Sequence, residues 1–385
     1  MKFLFFTSVL LILYTYLVYP ALLFLLKRFT SPTKKEFSPF LPNVSLIICA
    51  YNEEAVIEKK IINSLGLDYP PGQLEVIIAS DGCSDRTLEI VRKYTDQGVT
   101  LFDYPQRQGK VNVLNATVPK ANNEIIILSD ANTYFNSDAV KNLVQHFADP
   151  QIGCVCGALR FVSAEGSHTG DLEGFYWKFE TFLKKIEGGH GSLLGANGGI
   201  YALRKELFYS CPPDTIVEDF VIPMKILEKG YKVFYDPHAV ALEETTKHII
   251  QEKQRRIRIG AGDFQALFML KSMLNPAKGF PAFAFWSHKV IRWLVPFLMI
   301  TAFGTNLFLV GTVHAPSLPY FYIFFIGQCF FYVLAIAGQI LSWSGIKIKV
   351  LNLCYYFVSM NLALLLGFFR FLAGKQRVTW ERTER

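Results

Sequence analysis

Apolar positions crowd the two ends of this chain. From Phe3 to Leu26 no side chain is charged, and from Trp293 to Ile346 no Asp, Glu, Lys or Arg occurs. A bilayer-crossing helix needs about 20 apolar residues, so the pattern predicts membrane spans at both ends. Between them, over Lys27–Arg292, short apolar runs alternate with helical patterns. Val44–Cys49, Glu75–Ala79, Val99–Phe102 and Glu124–Ser129 read as buried strands. Glu53–Leu65, Asp85–Gln97, Lys110–Val118 and Phe220–Lys229 read as helices, and a short strand follows Gly199. Strands separated by helices of roughly 10–15 residues imply βαβ units and a parallel sheet.

Charge gives the ends a direction. Lys27, Arg28, Lys34 and Lys35 follow the first apolar run, and only Lys2 precedes it. The run is too long for a signal peptide, and no small-residue cleavage site follows it. The positive-inside rule then places the middle of the chain in the cytosol. The C-terminal block divides at Val313–Pro319 into spans near 290–313 and 318–341, and Lys347 and Lys349 mark a return to the inside. A third apolar segment, 350–373, ends in Arg370, Lys375 and Arg377. Either it crosses and leaves a basic tail outside, or it is re-entrant or interfacial; the charges favour a cytosolic tail. Phe280–Trp293, where aromatics mix with Lys289 and Arg292, suits either an interfacial helix or the start of the next span. The division is therefore an N-terminal span at 1–27, an α/β domain at 38–272, interfacial helices at 273–292, a C-terminal membrane region of two to three spans at 293–374, and a basic tail at 375–385.

Composition agrees. Hydrophobic types make up 51% of the 385 residues and charged types 18%, against about 25% charged in soluble domains. Disorder, a collagen-like fibre and a small disulfide scaffold are excluded. The seven cysteines are dispersed, and Cys154 and Cys156 have no second cluster to complete a metal site; this suits reduced thiols. The net charge of +7 gathers beside the membrane segments, where it can meet lipid headgroups. Nucleic acid is not an expected partner.

In parallel sheets ligands bind beyond the carboxyl ends of the strands. The polar residues there form a set: Ala50-Tyr51-Asn52-Glu53-Glu54, Ser80-Asp81-Gly82-Cys83-Ser84-Asp85, Pro105–Lys110, and Asp130-Ala131-Asn132. One acid after a strand is usually a helix cap. Four such ends together suit a nucleoside diphosphate: carboxylates can take base and ribose donors and a divalent cation, and lysine can meet phosphate. Farther along, Gly195-Ala196-Asn197-Gly198-Gly199 is either a plain turn or a loop that lets backbone approach a ligand. Glu218-Asp219 either balances a helix dipole or supplies acid–base chemistry. Lys253-Gln254-Arg255-Arg256-Ile257-Arg258 either touches lipid headgroups or clamps a pyrophosphate.

The order Ala-Tyr-Asn-Glu, Ser-Asp-Gly-x-Ser-Asp-x-Thr (Ser80–Thr87), Arg-x-Gly-Lys-x-x-x-Leu-Asn (Arg107–Asn115), Ser-Asp-Ala-Asn, Gly-Asn-Gly, Glu-Asp and an arginine cluster resembles the family 2 glycosyltransferases of GT-A fold. Within them it is similar to the membrane-embedded cellulose, chitin, hyaluronan and poly-N-acetylglucosamine synthases. The resemblance covers about Val44–Gly262 by motif. It implies a Rossmann-like, mostly parallel α/β domain flanked by transmembrane helices. It also implies roles: Asn52, Glu53 and Asp81 on the nucleoside, with Ala50 and Tyr51 lining the base pocket. Lys110, Ala131, Arg255 and Arg258 would lie at the donor and its phosphates, Asp130 and Asn132 at a Mg2+ or Mn2+ ion. Asp219 would be the general base, with Glu218 as the fallback. Asn197, Gly198 and the tail residue Trp380 would lie near the acceptor. Two departures stand out. Asn132 replaces a second aspartate, lowering the charge offered to a metal. Ile259 stands where polymerising members carry a tryptophan that stacks on the acceptor, and the Gln of that motif is missing too, which puts processive synthesis in doubt.

The implied activity is inverting transfer from a nucleotide sugar, most plausibly UDP-linked, to a hydroxyl of an envelope or extracellular glycan. The alternatives are transfer of a single sugar to a lipid such as a polyprenyl phosphate, and a non-catalytic membrane regulator that binds the nucleotide sugar. Four apparent hydrophobic segments are few for a polymer channel, so a homo-oligomer or an export partner would be needed to complete one.

Overall fold

The computed structural model describes residues 1–29, 40–162, 170–244, 249–312, 319–343 and 348–374, with positions 346 and 376. Trp380, the tail beyond 376, the turn at 313–318 and Lys347 lie outside the described residues.

Eight strands form one sheet: β1 Val44–Ala50, β2 Leu74–Ser80, β3 Val99–Phe102, β4 Ile125–Asp130, β5 Thr133–Phe135, β6 Ile152–Val162, β7 Tyr201–Arg204 and β8 Lys232–Glu244, in the order β3-β2-β1-β4-β7-β6-β8-β5. β1, β2, β3 and β4 run parallel, with Val44 opposite both Leu74 and Ile125. β7 is antiparallel to its neighbours β4 and β6, β6 and β8 are parallel, and β5 is antiparallel to β8. The sheet is buried on both faces. Ile47, Ile77, Ile126 and Leu128 pack into one core, and Leu46, Ile48, Val76, Ile78 and Ile127 into the other. This is why the parallel strands read as nearly continuous apolar runs.

The helices are α1 Lys2–Leu13, α2 Tyr19–Phe29, α3 Ile57–Leu65, α4 Thr87–Arg92, α5 Lys110–Thr117, α6 Ala139–Val144, α7 Gly170–Gly189, α8 Glu218–Glu228, α9 Ile249–Met269, α10 Phe280–Ala284, α11 Ile291–Thr312, α12 Pro319–Trp343 and α13 Lys349–Leu372. α3 begins four residues later than the periodicity predicts. Asn52 turns the chain with φ 52°, and the Glu53 carbonyl accepts from the amides of Val56 and Ile57 before helix geometry sets in. The helix read over Asp85–Gln97 is shorter as well: α4 ends at Arg92, and a 3₁₀ turn leads to Gly98, at φ 92°.

Among the described residues, four helices are long and apolar enough to cross a membrane: Lys2–Arg28, Phe280–Thr312, Tyr320–Ser342 and Lys349–Leu372. α10 runs into α11 through a π-helical turn, so Phe280 begins one long helix. The first span has a π turn too, Tyr14–Val18, and the two turns meet. Tyr14 Oη lies 2.7 Å from Ser287 Oγ, and Thr15 Oγ1 donates to the Ser287 carbonyl at 2.7 Å. A π turn frees main-chain acceptors that a regular helix would use internally.

α7 and α9 are tied to these long apolar helices. Buried Glu180 of α7 accepts from Lys289 at 2.7 Å and Arg292 at 3.0 Å, and lies 3.3 Å from His288. Glu187, one helical repeat on, accepts from Tyr19 Oη at 2.7 Å and contacts His288 Nδ1 at 2.8 Å. Glu180 thus points at the helix that follows Phe280. Buried ion clusters contribute little net stability but are costly to break, so this one fixes position. α9 is held on two opposite faces. A Cβ on Gly367 of α13 would meet the backbone of Gly260 and Ala261 at 2.7 Å, and a Cβ on Gly262 would meet Val217 Cγ1 at 2.8 Å. Small residues let the helix backbones come this close. α9 thus links α13 to the segment just before Glu218.

Candidate active site

The ends of β1, β2 and β4 and the loop after β3 converge. Asp81 accepts from the backbone amides of Gln108 at 2.6 Å and of Gly109 at 2.9 Å, so it braces the loop that delivers Lys110. Gly82 is required there: its φ is 68°, and a Cβ would lie 2.6 Å from the Arg107 amide. The Arg107 guanidinium stacks 3.8 Å over the Tyr51 ring. Asn52 exchanges hydrogen bonds with Ser84: its Oδ1 accepts from the Ser84 amide at 2.8 Å and its Nδ2 donates to Ser84 Oγ at 3.1 Å. The Glu53 amide donates to Thr87 Oγ1 at 2.8 Å. Ala50 and Ala131 are buried in the sheet core, so a ligand would meet their backbone rather than their methyl groups.

Lys110 is the junction. Its ammonium lies 2.7 Å from Asp130 Oδ1 and 3.0 Å from Glu218 Oε1. Burial works against its charge, but Asp130 and Glu218 outweigh burial and hold it well above the ordinary lysine value. Burial would likewise raise Asp130, yet Lys110, Lys60 and Arg255 hold its carboxyl below the ordinary range. Asp219, beside Glu218, is pushed up to about 6, first by burial and then by the Glu218 charge, with Lys110 pulling the other way. The site thus separates its carboxylates by environment, the pattern that assigns acid–base roles.

The Gly195–Gly199 loop presses on this pair. The Ala196 amide donates to the Asp219 carbonyl at 2.8 Å, and a Cβ on Gly198 would lie 2.9 Å from Asp219 Oδ2. Asn197 is buried and its amide is engaged: Nδ2 donates to the Gly157 carbonyl at 2.7 Å, and Oδ1 accepts from Lys184 at 2.6 Å. On α9, Arg255 and Arg258 act electrostatically on the site. Arg258 is lowered from its ordinary value by burial, with Glu218 opposing. Arg256 faces the other way: it donates to Tyr356 Oη at 3.1 Å and contacts Met360 on α13. The arginine cluster therefore divides by helical spacing between site and membrane helix. Lys184 and Asp263 belong to the site's surroundings and were missed from the sequence. A lone lysine and a lone aspartate in helices carry no local signature.

Among the described residues no cluster of three His, Cys, Asp or Glu side chains forms a metal site. Asp130 offers carboxylate oxygens. Asn132 donates its NH2 to Glu243 at 3.0 Å, which leaves its carbonyl oxygen for a cation. Two hard oxygens fit an ion held chiefly by substrate phosphates, the usual arrangement for Mg2+.

Residues 45–210 match the family model described as glycosyl transferase family 2. A poly-β-1,6-N-acetyl-D-glucosamine synthase of Staphylococcus aureus (strain COL) is 25% identical over 270 residues, 69% of this chain and 65% of that protein. The Staphylococcus epidermidis protein of the same name is 25% identical over 230 residues, covering 58% and 55%. The chain thus matches between 55% and 65% of these relatives' length. A mannosyltransferase from Pyrobaculum calidifontis, solved in complex with GDP-Man and Mn2+, superposes with a TM-score of 0.69 at 22% identity, over 97% of this chain and 99% of that one. The shared fold is GT-A.

Proposed function

We propose that this chain, which carries a glycosyl transferase family 2 domain at residues 45–210, is a membrane-embedded inverting glycosyltransferase with its catalytic domain in the cytosol. It moves a sugar from a nucleotide donor, most plausibly UDP-linked, to a hydroxyl acceptor in cell-envelope or extracellular polysaccharide synthesis. The observation that carries this reading is Lys110 joined to both Asp130 and Glu218, beside an Asp219 raised to about 6. A binding module has no need of a carboxylate tuned toward neutrality, whereas a general base works best with a value near the operating pH.

In this reading Asn52, Glu53, Asp81, Ala50 and Tyr51 form the nucleoside end, and Arg107 supports the Tyr51 ring. Asp219 accepts the proton of the acceptor hydroxyl as that oxygen bonds to the anomeric carbon from the face opposite the diphosphate. The bond between the anomeric carbon and the diphosphate oxygen breaks, and the diphosphate leaves with the electron pair. Lys110, Arg255 and Arg258 meet its charge, which is electrostatic stabilisation where charge develops. Glu218, tied to Lys110, is the weaker choice for the base. Asp130 and Asn132 would hold a Mg2+ or Mn2+ ion, which supplies further charge neutralisation on the diphosphate. The relatives' names favour extension of a glycan. Ile259 in place of a stacking tryptophan favours a short product or a single transfer to a lipid.

The test is nucleoside diphosphate release by the full chain in detergent, with Mn2+ or Mg2+ and a panel of UDP- and GDP-sugars. Release from one donor, lost in Asp219→Asn, supports the reading, and product length then separates polymer from single transfer. Tight donor binding with no release in membranes that supply native acceptors would replace it with the regulatory reading.

A further inference from the structure

Two lysines act on the Asp219 carboxyl, both drawing its value down: Lys110, which is bound to the neighbouring Glu218, and Lys184 of α7. Lys184 lies behind the Gly195–Gly199 loop, donating to Asn197 Oδ1 at 2.6 Å and lying 5.7 Å from the centre of the Trp177 ring. The contacts of Asn197 show what that bond does. Its backbone amide donates to Cys156 Sγ at 3.1 Å and its Nδ2 to the Gly157 carbonyl, so the residue is fixed on three sides. The next residue, Gly198, has so little room that a single added Cβ would lie 2.9 Å from Asp219 Oδ2. Ordering a lysine side chain carries a large entropy cost. Here the ordered lysine braces Asn197, whose neighbour Gly198 packs against Asp219.

We propose that Lys184 is a positioning residue for sugar transfer: it pins the Gly195–Gly199 loop against Asp219 and keeps a positive charge on that side of the carboxylate. The inference rests on Asp219 being the general base. The groups facing Asp219 are Glu218 on its own helix, Lys110 on α5, Asp130 on β4, Cys156 on β6, Tyr201 on β7, Lys184 on α7, and Arg258 and Asp263 on α9. Lys110 is already shared between Asp130 and Glu218. Without Lys184 one of the two cations that draw the Asp219 value down is lost, and its proton is held more tightly.

The sign follows. A base must be ionised to act, so the acid limb of kcat/KM marks the protonation of Asp219. Loss of a neighbouring cation moves that limb to higher pH. The experiment measures pH profiles of diphosphate release by the full chain in detergent, with the donor that the wild type uses. Lys184→Met and Lys184→Gln are compared with Lys184→Arg and Asp219→Asn. Lys184→Gln keeps a donor for Asn197 but not the charge, and it serves as the reading if Lys184→Met fails to fold. The expected result is an acid limb raised by about one pH unit in both neutral variants, a roughly fivefold loss near pH 6 that approaches tenfold at lower pH and vanishes toward pH 8.5, and a limb restored by Lys184→Arg. Donor affinity stays unchanged. A limb that does not move, whether the rate is normal or uniformly lowered, overturns the inference while the base assignment stands. Full activity in Asp219→Asn overturns the base assignment itself, and the inference with it.

Discussion

The donor half of this site and the half facing the membrane are built by different means. On the donor side, Asn52, Asp81 and Asp130 lie at or within two residues of the end of a parallel strand, and Lys110 opens α5 at the end of the loop that follows β3. They are held by their own backbones, through the φ of 52° at Asn52 and the glycine turns at Gly82 and Gly109. On the other side, Glu218, Asp219 and the arginines of α9 are placed by distant helices, through the close approach of Gly262 to Val217, of Gly367 to Gly260, and through the Glu180 cluster. Under the proposed function, the difference teaches that nucleotide binding would rest on the sheet, whereas transfer would depend on how the long apolar helices hold the domain. Variants should therefore separate affinity from rate.

The largest effect belongs to Asp219→Asn. Positioned base catalysis contributes about 10²–10⁴-fold, so kcat should fall by that amount. Donor affinity, measured by calorimetry or by competition with free nucleoside diphosphate, should stay within about twofold. A parallel loss of affinity would mean that the two halves are not separable at this residue.

Two glycines sharpen the contrast from opposite directions. Gly367→Leu drives a side chain into α9, where even a Cβ would lie 2.7 Å from the Gly260 carbonyl carbon. Misplacing reacting groups by about 1 Å can cost about 10²-fold, so kcat should drop roughly 10–100-fold with donor affinity retained. Gly82→Ala does the reverse. It forces a non-glycine residue to φ 68° and crowds the Arg107 amide, a backbone cost of about 1–2 kcal/mol. Donor affinity should weaken about tenfold, with a smaller change in kcat at saturation. Equal losses in both parameters for both variants would erase the distinction.

Asp263 tests the suspended half by pH. Its carboxyl is pushed up to about 7, by burial first and then by Glu180 and Asp219, against Lys289 and Arg292. The folded value lies above that of an unfolded aspartate, about 3.9. Ionisation therefore costs the folded chain: the cost is absent below about pH 4, grows between the two values and is complete above about pH 7. Asp263→Asn should raise the thermal midpoint by about 2–4 °C at pH 8 and leave it unchanged at pH 4. A gain at both pH values would assign the effect to packing.

The same division decides what was legible in the sequence. The parallel strands β1, β2 and β4 announced themselves because they are buried on both faces, so their apolar runs were continuous and their polar ends marked the site. Lys110 lies against Asp130 and Glu218, with Asp219 next in the chain. β5, β6 and β8 were not read, since their pairing partners are distant in sequence. Lys184, Asp263 and the Glu180 cluster were invisible for a related reason: each is defined by contacts between helices, and a single charged residue in a helix reads as a solvated face until its neighbour is known. Arg256 shows the limit within one motif. Only helical geometry against α13 distinguishes it from Arg255 and Arg258.

The smallest expected effect returns to the donor half. Asn132→Asp restores a second carboxylate at the cation position, but it also sets that carboxylate against Glu243, whose Oε1 accepts from the Asn132 amide at 3.0 Å. Without metal the exchange replaces a hydrogen bond with like-charge repulsion, so the thermal midpoint should fall by about 2 °C. With Mn2+ and donor present, the added charge strengthens cation binding, and the half-saturating metal concentration should drop about threefold to tenfold. The two terms oppose each other, which is why the net change in kcat at saturating metal should stay within about twofold. Titrating Mn2+ while following both the thermal midpoint and diphosphate release separates them. A drop in stability without metal and no gain in metal affinity would show that position 132 braces Glu243 rather than holding the ion.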